Sequence, residues 1–412
     1  MREILLKNSI FNVKSVNFYF VDLKYSPYYP NTKNMKTLRL AVILMAFALC
    51  SFGQKLPVPA DKKATKETIA LFQSLFELKN KGVMYGHQDD LMYGYNWWYE
   101  KDRSDTKDAT GDYPGVAGFE LGHIELGSER SLDSVSYNQI AEQIKAHYKR
   151  GGVITVSWHL NNPLTMQIKD TLSSRSHGTA WDVSSKEVVS SILPGGKNNA
   201  LFNTWLEKLA TFFTGLKDDK GMPIPFIFRP FHEHSGSFFW WGTNICTDKE
   251  YSALWRYTVE FLREKKNIHN ILYAYNTDRV TSLEQYMRGY PGDDIIDMLS
   301  LDMYDRGEQF GPELDTALGF VTKEAIARNK LTALSETGER RGMNNWWTSV
   351  ILPVVSKYPV GYVLTWRDAF NTKVTVSGSP FQSYHEDFKK FYDSPHTLFL
   401  KEIIEANIYK RK

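Results

Sequence analysis

From residue 61 onward the chain alternates short apolar runs with longer stretches whose apolar positions recur at helical spacing. Short runs rich in apolar and β-branched residues are typical of buried strands, and amphipathic stretches are typical of surface helices. The predicted helices occupy residues 61–79, 134–149, 200–216, 249–265, 314–329 and 381–406. Eight strands are predicted, at residues 82–86, 115–119, 153–157, 225–228, 271–276, 297–301, 331–334 and 360–364.

Several of these apolar runs stop abruptly in ionisable and aromatic residues. The fourth run leads through Arg229 to His232 and Glu233, and the seventh leads to Glu336. In a (β/α)8 barrel the strand interiors fill a core and the C-terminal strand ends carry the chemistry. The sequence contains no low-complexity linker and no internal repeat, which indicates one domain. The pattern therefore predicts an α/β fold with a single (β/α)8 TIM barrel over residues 54–412.

The segment before the barrel has the pattern of an export signal. Residues 35–53 contain the basic residues Lys36 and Arg39, a short apolar run, and small residues before Gln54. This order predicts a secretory signal peptide and an exported protein, periplasmic or secreted. The apolar run is too short to span a bilayer comfortably. Residues 1–34 are expected to be an unstructured extension of the gene model.

The two cysteines, Cys50 and Cys246, bear on localisation and on disulfides. Cys50 leaves a lipid anchor as the alternative to cleavage, although Leu49 is bulky where a lipoprotein signal needs a small residue. If Cys50 is removed with the signal peptide, Cys246 stands alone and no internal disulfide can form.

Charge and composition narrow the class of partner. The formal net charge is +3, but the first 53 residues are basic, so the rest of the chain is nearly balanced. No basic patch indicates nucleic acid, and a neutral polymer suits this balance. Aromatic residues make up 14% of the chain, with 11 Trp. A large aromatic core would explain them, but several tryptophans stand beside polar strand ends, which favours carbohydrate binding. We expect a monomer.

Glu233 and Glu336 each follow a predicted barrel strand, with tryptophans close by in the sequence. Paired carboxylates beside flat aromatic surfaces are typical of glycoside hydrolysis, where two carboxyl groups share the acid, base and nucleophile roles. A metal site is less well supported, because the sequence His232-Glu233-His234 lacks the helical spacing that puts two ligands on one face. Neither a metal nor a cofactor is expected.

Four motifs together resemble glycoside hydrolase family 26, the β-mannanase family, over roughly residues 64 to 400. They are Arg229-Pro230-Phe231-His232-Glu233, Ser335-Glu336-Thr337-Gly338, Gly86-His87-Gln88 and Thr365-Trp366-Arg367. The resemblance implies a retaining endo-β-1,4-mannanase acting on mannan, galactomannan or glucomannan. It also implies that Glu233 is the acid/base and Glu336 the nucleophile.

Further site residues are expected around these two carboxylates. His159 and His232 are interpreted as hydrogen-bonding the sugar and the carboxylates, and either could instead be a structural histidine. By resemblance, Tyr304 contacts the nucleophile, Trp366 lies under the −1 sugar and Arg367 lies at the −2 subsite. Additional sugar contacts are predicted for Trp241, with Trp240 as its alternative, and for Trp181, which could equally pin its loop. Supporting roles are only weakly indicated for Glu120, Asp302 and Asp305.

Other functions remain open at this level. The same fold could act on another β-glycan, such as mixed-linkage glucan or β-1,3-xylan, or could bind carbohydrate without catalysis. The segments 121–137 and 161–199 are long for barrel loops. Loops at this face shape the cleft, so they could block one end of it and cause release of mannobiose. Internal cleavage is the preferred prediction.

Overall fold

The computed structural model describes residues 8–13, 16–21, 56–166, 177–339, 342–366 and 385–410. It divides into two units, Met1–Leu56 and Pro57–Lys412. In the first unit, strands β1 (Asn8–Val13) and β2 (Val16–Val21) pair antiparallel. The predicted signal segment, residues 35–53, lies outside the described residues.

The second unit contains a closed barrel of eight parallel strands, which confirms the predicted fold. Each strand pairs with its neighbour in chain order, and pairing of the last strand with the first closes the sheet. The strands are β3 (Val83–Gln88), β6 (Val116–Glu120), β7 (Val153–Trp158), β8 (Phe226–Pro230), β9 (Ile271–Thr277), β10 (Met298–Asp302), β11 (Leu331–Thr337) and β12 (Tyr362–Thr365).

Helices alternate with these strands. They span Lys66–Leu78, Asp105–Thr110, Tyr137–Arg150, Val188–Ile192, Asn199–Gly215, Asp248–Glu260, Leu283–Tyr286, Phe310–Ala327, Leu352–Val355, His385–Tyr392 and Leu400–Ala406. Shorter turns are Ile124–Leu126, which is 3₁₀, and Phe261–Lys265 and Trp347–Ile351, which are π-helical.

Three short strands complete the unit. β4 (Tyr93–Gly94) and β5 (Trp97–Trp98) form a hairpin after β3. β13 (Thr397–Leu398) pairs with β3 and divides the helix that was predicted over 381–406. Pro395 in the sequence between the two helices explains the division, because proline cannot continue a helix.

The core has two layers that follow from the alternation of side chains along each strand. The inner cluster lies inside the barrel and includes Ile227 of β8. The outer cluster lies between the strands and the surrounding helices, and it includes Phe226 and Phe228 of the same strand. Leu71 and Phe72 of helix Lys66–Leu78 join the inner cluster. Arg229 has the same parity as Ile227, so the strand's period of two directs it into the barrel.

Candidate active site

Glu233 is held by an unusual turn after β8. Phe231 and Glu233 both have left-handed backbone conformations, with φ of 49° and 53°. Such conformations are costly for residues other than glycine and persist where the surroundings hold them. Tyr251 donates to the Phe231 carbonyl at 2.8 Å, and the Glu233 N–H donates to Asn276 Oδ1 at 2.8 Å. These two hydrogen bonds fix the backbone of the turn and therefore the direction in which the Glu233 side chain points.

Glu336 reaches the barrel mouth through a register shift. β10 and β11 pair Leu301 with Leu334, but the next pair joins Asp302 with Glu336, so one residue of β11 is passed over. A bulge of this kind turns the following side chains toward a different face of the sheet. It therefore places the carboxylates of Asp302 and Glu336 side by side at the end of the strands.

Two donors hold the Glu336 carboxylate. The Arg229 guanidinium is hydrogen-bonded to Glu336 Oε1 and donates to Asp302 Oδ2 at 2.6 Å. Tyr304 donates from its hydroxyl to Glu336 Oε2 at 2.8 Å. Burial, with the charge of Glu336, raises the pKa of Tyr304 well above its usual range, so Tyr304 keeps the proton that it donates. Both contacts stabilise Glu336 as an anion in a buried place.

The two glutamates are close enough for a retaining mechanism. Carboxylate oxygens of Glu233, Asp302 and Glu336 all lie within 4.8 Å of one another. Retaining glycosidases have their two carboxyl groups about 5–5.5 Å apart, whereas inverting ones need about 6.5–9.5 Å to admit a water molecule. Three such carboxylates could also ligate a cation, and Arg229 supplies positive charge at this position.

Electrostatics distinguish the two glutamates. Burial and then the charges of Glu336, Asp302 and Asp278 raise the pKa of Glu233 well above its usual range, outweighing Arg229. The carboxyl of Glu233 therefore keeps its proton at pH values where an ordinary glutamate is ionised. A proton donor beside a carboxylate anion is the arrangement that acid-assisted displacement needs.

A chain of side chains extends from Glu120 toward the site. His159 Nδ1 lies 2.9 Å from Glu120 Oε2, and His159 Nε2 lies 2.9 Å from His232 Nε2. Burial acts against a charged His159, but the Glu120 carboxylate outweighs it and the pKa of His159 is raised. Burial and the His159 charge lower the pKa of His232 well below its usual range. When His159 is protonated, its Nε2–H can donate to neutral His232, whose Nε2 lies 4.0 Å from Glu336 Oε1.

A cleft of about 390 Å³ lies over these groups, which is within the range of small-molecule sites. Of the residues proposed from the sequence, it is lined by Glu233, Glu336, His159, Tyr304, Trp366 and Trp181. Trp181 is 44% exposed and stacks on His159, with ring centroids 5.5 Å apart. His159 also contacts the Trp366 ring at 5.8 Å. We call Trp181, His159 and Trp366 the aromatic wall.

Other expected site residues lie elsewhere. Trp241 does not line the cleft: it is fully buried, and its Nε1–H donates to the His232 carbonyl at 2.8 Å. Phe239, stacked on Trp241 at 4.5 Å, lines the cleft in its place. The alternative, Trp240, is fully buried as well. His232 is buried behind His159, and Arg367 lies outside the described residues.

Several residues in or beneath the cleft were missed from the sequence. Arg229 was noted only as part of a motif, although its inward parity next to Ile227 was a usable signal. Asn276 was given no role, yet its Nδ2 donates to Asp302 Oδ1 at 2.8 Å. Some loop residues that line the cleft carry no sequence signal of that position, and these are Leu132, Asp133, Asp278 and Arg306.

The polar residues after β3, whose role the sequence left unassigned, form a buried support. His87 Nδ1 lies 3.1 Å from Asp90 Oδ1, and the Asp105 N–H donates to the same oxygen at 2.9 Å. Asp105 in turn accepts from Trp97 Nε1 at 2.5 Å. These contacts anchor the loop after β3 to the barrel, and His87, Asp90, Trp97 and Asp105 are not among the described residues that line the cleft.

Comparison with known proteins gives a consistent result. The family model for glycosyl hydrolase family 26 matches residues 60–400. A mannan endo-1,4-beta-mannosidase of Bifidobacterium adolescentis is 31% identical over 376 residues, which is 82% of this chain but only 35% of that protein. One from Bacillus subtilis is 26% identical over 353 residues, covering 80% of this chain and 90% of the relative.

Among the described residues, no helix is both long and apolar enough to cross a membrane.

Solved structures agree. A β-mannanase of the same family from Bacteroides ovatus has a TM-score of 0.79 and 40% identity, covering 84% of this chain and 98% of its own. A Cellulomonas fimi endo-β-1,4-mannanase variant has a TM-score of 0.76 and 31% identity, and the match covers 87% of this chain and 80% of that protein. The resemblance seen in the four sequence motifs is confirmed, and the chain belongs to glycosyl hydrolase family 26.

Proposed function

We propose that this protein is a retaining endo-β-1,4-mannanase, with Glu233 as acid/base and Glu336 as nucleophile. The observation that carries the proposal is the approach of their carboxylate oxygens to within 4.8 Å. The different surroundings of the two groups support the assignment of roles, because only Glu336 is bonded to Arg229 and Tyr304. The printed names of the relatives support mannan as the substrate.

The first half of the reaction forms a covalent intermediate. A Glu336 oxygen attacks the anomeric carbon, the bond from that carbon to the leaving sugar's oxygen breaks, and Glu233 gives its proton to that oxygen. The leaving sugar departs with a free hydroxyl, and the remaining sugar is an ester of Glu336. Positive charge that develops on the sugar ring is stabilised by the nearby carboxylate.

The second half releases the product. Glu233, now ionised, takes a proton from a water molecule, whose oxygen attacks the same anomeric carbon. The bond to Glu336 breaks, and Glu336 returns to its ionised form beside Arg229 and Tyr304. Two inversions give net retention, so the first-formed product is the β anomer.

Reducing-sugar assays on galactomannan, glucomannan, barley glucan and xylan test the proposal. Activity is expected on the two mannans, and proton NMR during early turnover should detect the β anomer first. Activity confined to glucan or xylan would reassign the substrate. A first-formed α product would overturn the retaining mechanism. Binding to mannan without hydrolysis would favour a non-catalytic carbohydrate-binding barrel.

A second mode of attack has one observation in its favour. Leu132 and Asp133, from the long loop after β6, line the cleft. A loop in this position could close one end and lead to release of mannobiose from a chain end. Internal cleavage lowers the viscosity of galactomannan before many reducing ends appear. A slow fall in viscosity with mannobiose as the main early product would favour chain-end attack.

Export belongs to the same proposal. Residues 35–53 have the basic start, apolar run and small residues of a signal peptide, and a polysaccharide that cannot enter the cell must be met outside the cytoplasm. Mass spectrometry of the protein from its native host should find Gln54 at the N-terminus. A lipid-modified Cys50 would place the enzyme on a membrane surface.

A further inference from the structure

We propose that Asp278 and Arg306 form the subsite for the leaving sugar, in which they hydrogen-bond the hydroxyl groups of the mannosyl or glucosyl unit that departs with its new hydroxyl. The inference rests on the proposed function and deepens it. We call these two residues the polar end of the cleft. Asp278 follows β9 and Arg306 lies in the loop after β10, and both line the cleft that contains Glu233 and Glu336.

The side chains of the polar end are not committed to each other or to other protein groups. Arg306 is exposed, and Asp278 is half-buried. Several other arginines near the surface form ion pairs, for example Arg256 with Asp294 at 2.7 Å. Within residues 56–166, 177–339, 342–366 and 385–410, neither Asp278 nor Arg306 has a side-chain hydrogen bond or an ion pair. A guanidinium and a carboxylate that face a cleft in this state are available to a ligand.

The backbone under Arg306 is held firmly. Its neighbour Asp305 is buried, donates its N–H to the Gly338 carbonyl at 2.9 Å, and accepts from Trp346 Nε1 at 3.0 Å. On the other side, the Gly307 N–H donates to Asp305 Oδ1 at 3.1 Å. Arg306 therefore has an exposed side chain on a backbone that is already held in place. Binding a sugar has to order only this side chain and not the loop, which reduces the conformational entropy lost on binding.

The loop that carries Asp278 is tied to the same region. Ser235 donates to the Asp278 carbonyl at 3.2 Å, which links this loop to the turn that positions Glu233. The next residue, Arg279, donates to the Tyr304 carbonyl at 3.0 Å and pairs with Glu313. These bonds hold the loops after β9 and β10 in a constant relation to each other and to the proposed acid.

The position of the polar end relative to Glu233 assigns it to the leaving sugar. The three rings of the aromatic wall contact one another through His159. The wall lies on the side of Glu336, because the backbone N–H of Trp366 donates to the carbonyl of Thr337, the next residue after Glu336. Asp278 instead lies on the side of Glu233, because its carbonyl accepts a hydrogen bond at 3.2 Å from Ser235, in the turn that carries Glu233. Because the acid protonates the oxygen of the leaving sugar, a sugar held on the side of Asp278 is the one that leaves.

The chemistry suits a neutral sugar. Neighbouring hydroxyl groups on a pyranose both donate and accept, and the Arg306 guanidinium offers a fork of donors while the Asp278 carboxylate only accepts. Together they can satisfy both sides of a pair of hydroxyl groups. Their opposite charges leave this part of the cleft without a net charge from the pair.

The test compares two substrates that share the same glycone. Mannotetraose places a sugar on the leaving side, whereas an aryl β-mannobioside places there an aromatic ring without sugar hydroxyl groups. For Arg306→Ala, we expect the loss of kcat/KM on mannotetraose to exceed the loss on the aryl substrate by about tenfold, the size expected for hydrogen bonds to a charged group. Asp278→Ala should show the same direction.

The matched control is Asp133→Ala, which removes a cleft carboxylate from the loop after β6. Its effect should be the same on both substrates if it contacts the common glycone. Equal losses on the two substrates in Arg306→Ala, while the wild-type protein is active, would overturn the subsite and leave the proposed function standing. A wild-type protein inactive on both substrates would overturn the proposed function and the subsite with it. Thermal unfolding of each variant separates these outcomes from misfolding.

Discussion

Glu233 and Glu336 are the same residue type, lie at the mouth of one barrel, and are in contact range, yet their surroundings are opposite. Glu336 is bonded to the Arg229 guanidinium and the Tyr304 hydroxyl. Glu233 has its backbone held by Asn276, while burial and three neighbouring carboxylates raise the pKa of its side chain. The comparison teaches that the surroundings set the role of each carboxyl group. Hydrogen-bond donors stabilise the anion at one position, whereas burial and neighbouring negative charge retain the proton at the other.

The largest expected effect comes from removing the proposed nucleophile. Glu336→Ala should lower kcat/KM below about one hundredth of the wild-type value on every substrate, because no covalent intermediate can form. Initial rates on mannan and on an aryl β-mannobioside measure it. More than that residual activity on either substrate would contradict the assignment of Glu336.

The next variant separates the two glutamates directly. Glu233→Ala should lose about 10²–10⁴-fold in rate on mannan, where the leaving sugar needs a proton. On an aryl substrate with an acidic leaving group, the rate of the first step should fall by a smaller factor. Burst kinetics would measure that rate separately from the second step. Equal losses on both substrates would show that Glu233 is not the proton donor.

The third variant removes the cation that distinguishes Glu336 from Glu233. Arg229→Met leaves buried Asp302 and Glu336 without their shared partner, so the free energy of unfolding should fall by about 3–5 kcal/mol. Arg256→Met, which breaks an exposed pair with Asp294, is the matched control and should cost about 0–1 kcal/mol. Similar losses in urea unfolding of the two variants would refute a special role for the Arg229 contacts.

The smallest effect is a shift in pH dependence. The negative charge of Asp278 helps to raise the pKa of Glu233, so Asp278→Asn should lower it. Activity falls as pH rises through the pKa of the proton donor, and the alkaline limb of the kcat/KM profile should therefore move to lower pH. Asp133→Asn serves as control. The interpretation fails if the alkaline limb does not move, moves upward, or moves equally in both variants.

Sequence and structure agree on the barrel for a physical reason. Apolar runs such as 225–228 and 331–334 report burial directly, and polar residues after them mark strand ends, so eight strands and both glutamates could be found without coordinates. The division of the predicted last helix was missed although Pro395, a local signal, marks it. The pairing of Thr397–Leu398 with β3 at that point has no such local signal.

The sequence by itself determined the alternation of strands and helices, the eightfold count and the candidate carboxylates, because each depends on residues close together in the chain. Only the tertiary structure decided which aromatic faces the cleft. Phe239 lines it and Trp241 is buried, since packing across several elements ranks neighbouring aromatics. The register shift that joins Asp302 with Glu336, and the presence of Asp278 and Arg306 in one cleft, likewise depend on separate strands ending at one barrel mouth. Such distances between remote parts of the chain have no local signature in the sequence.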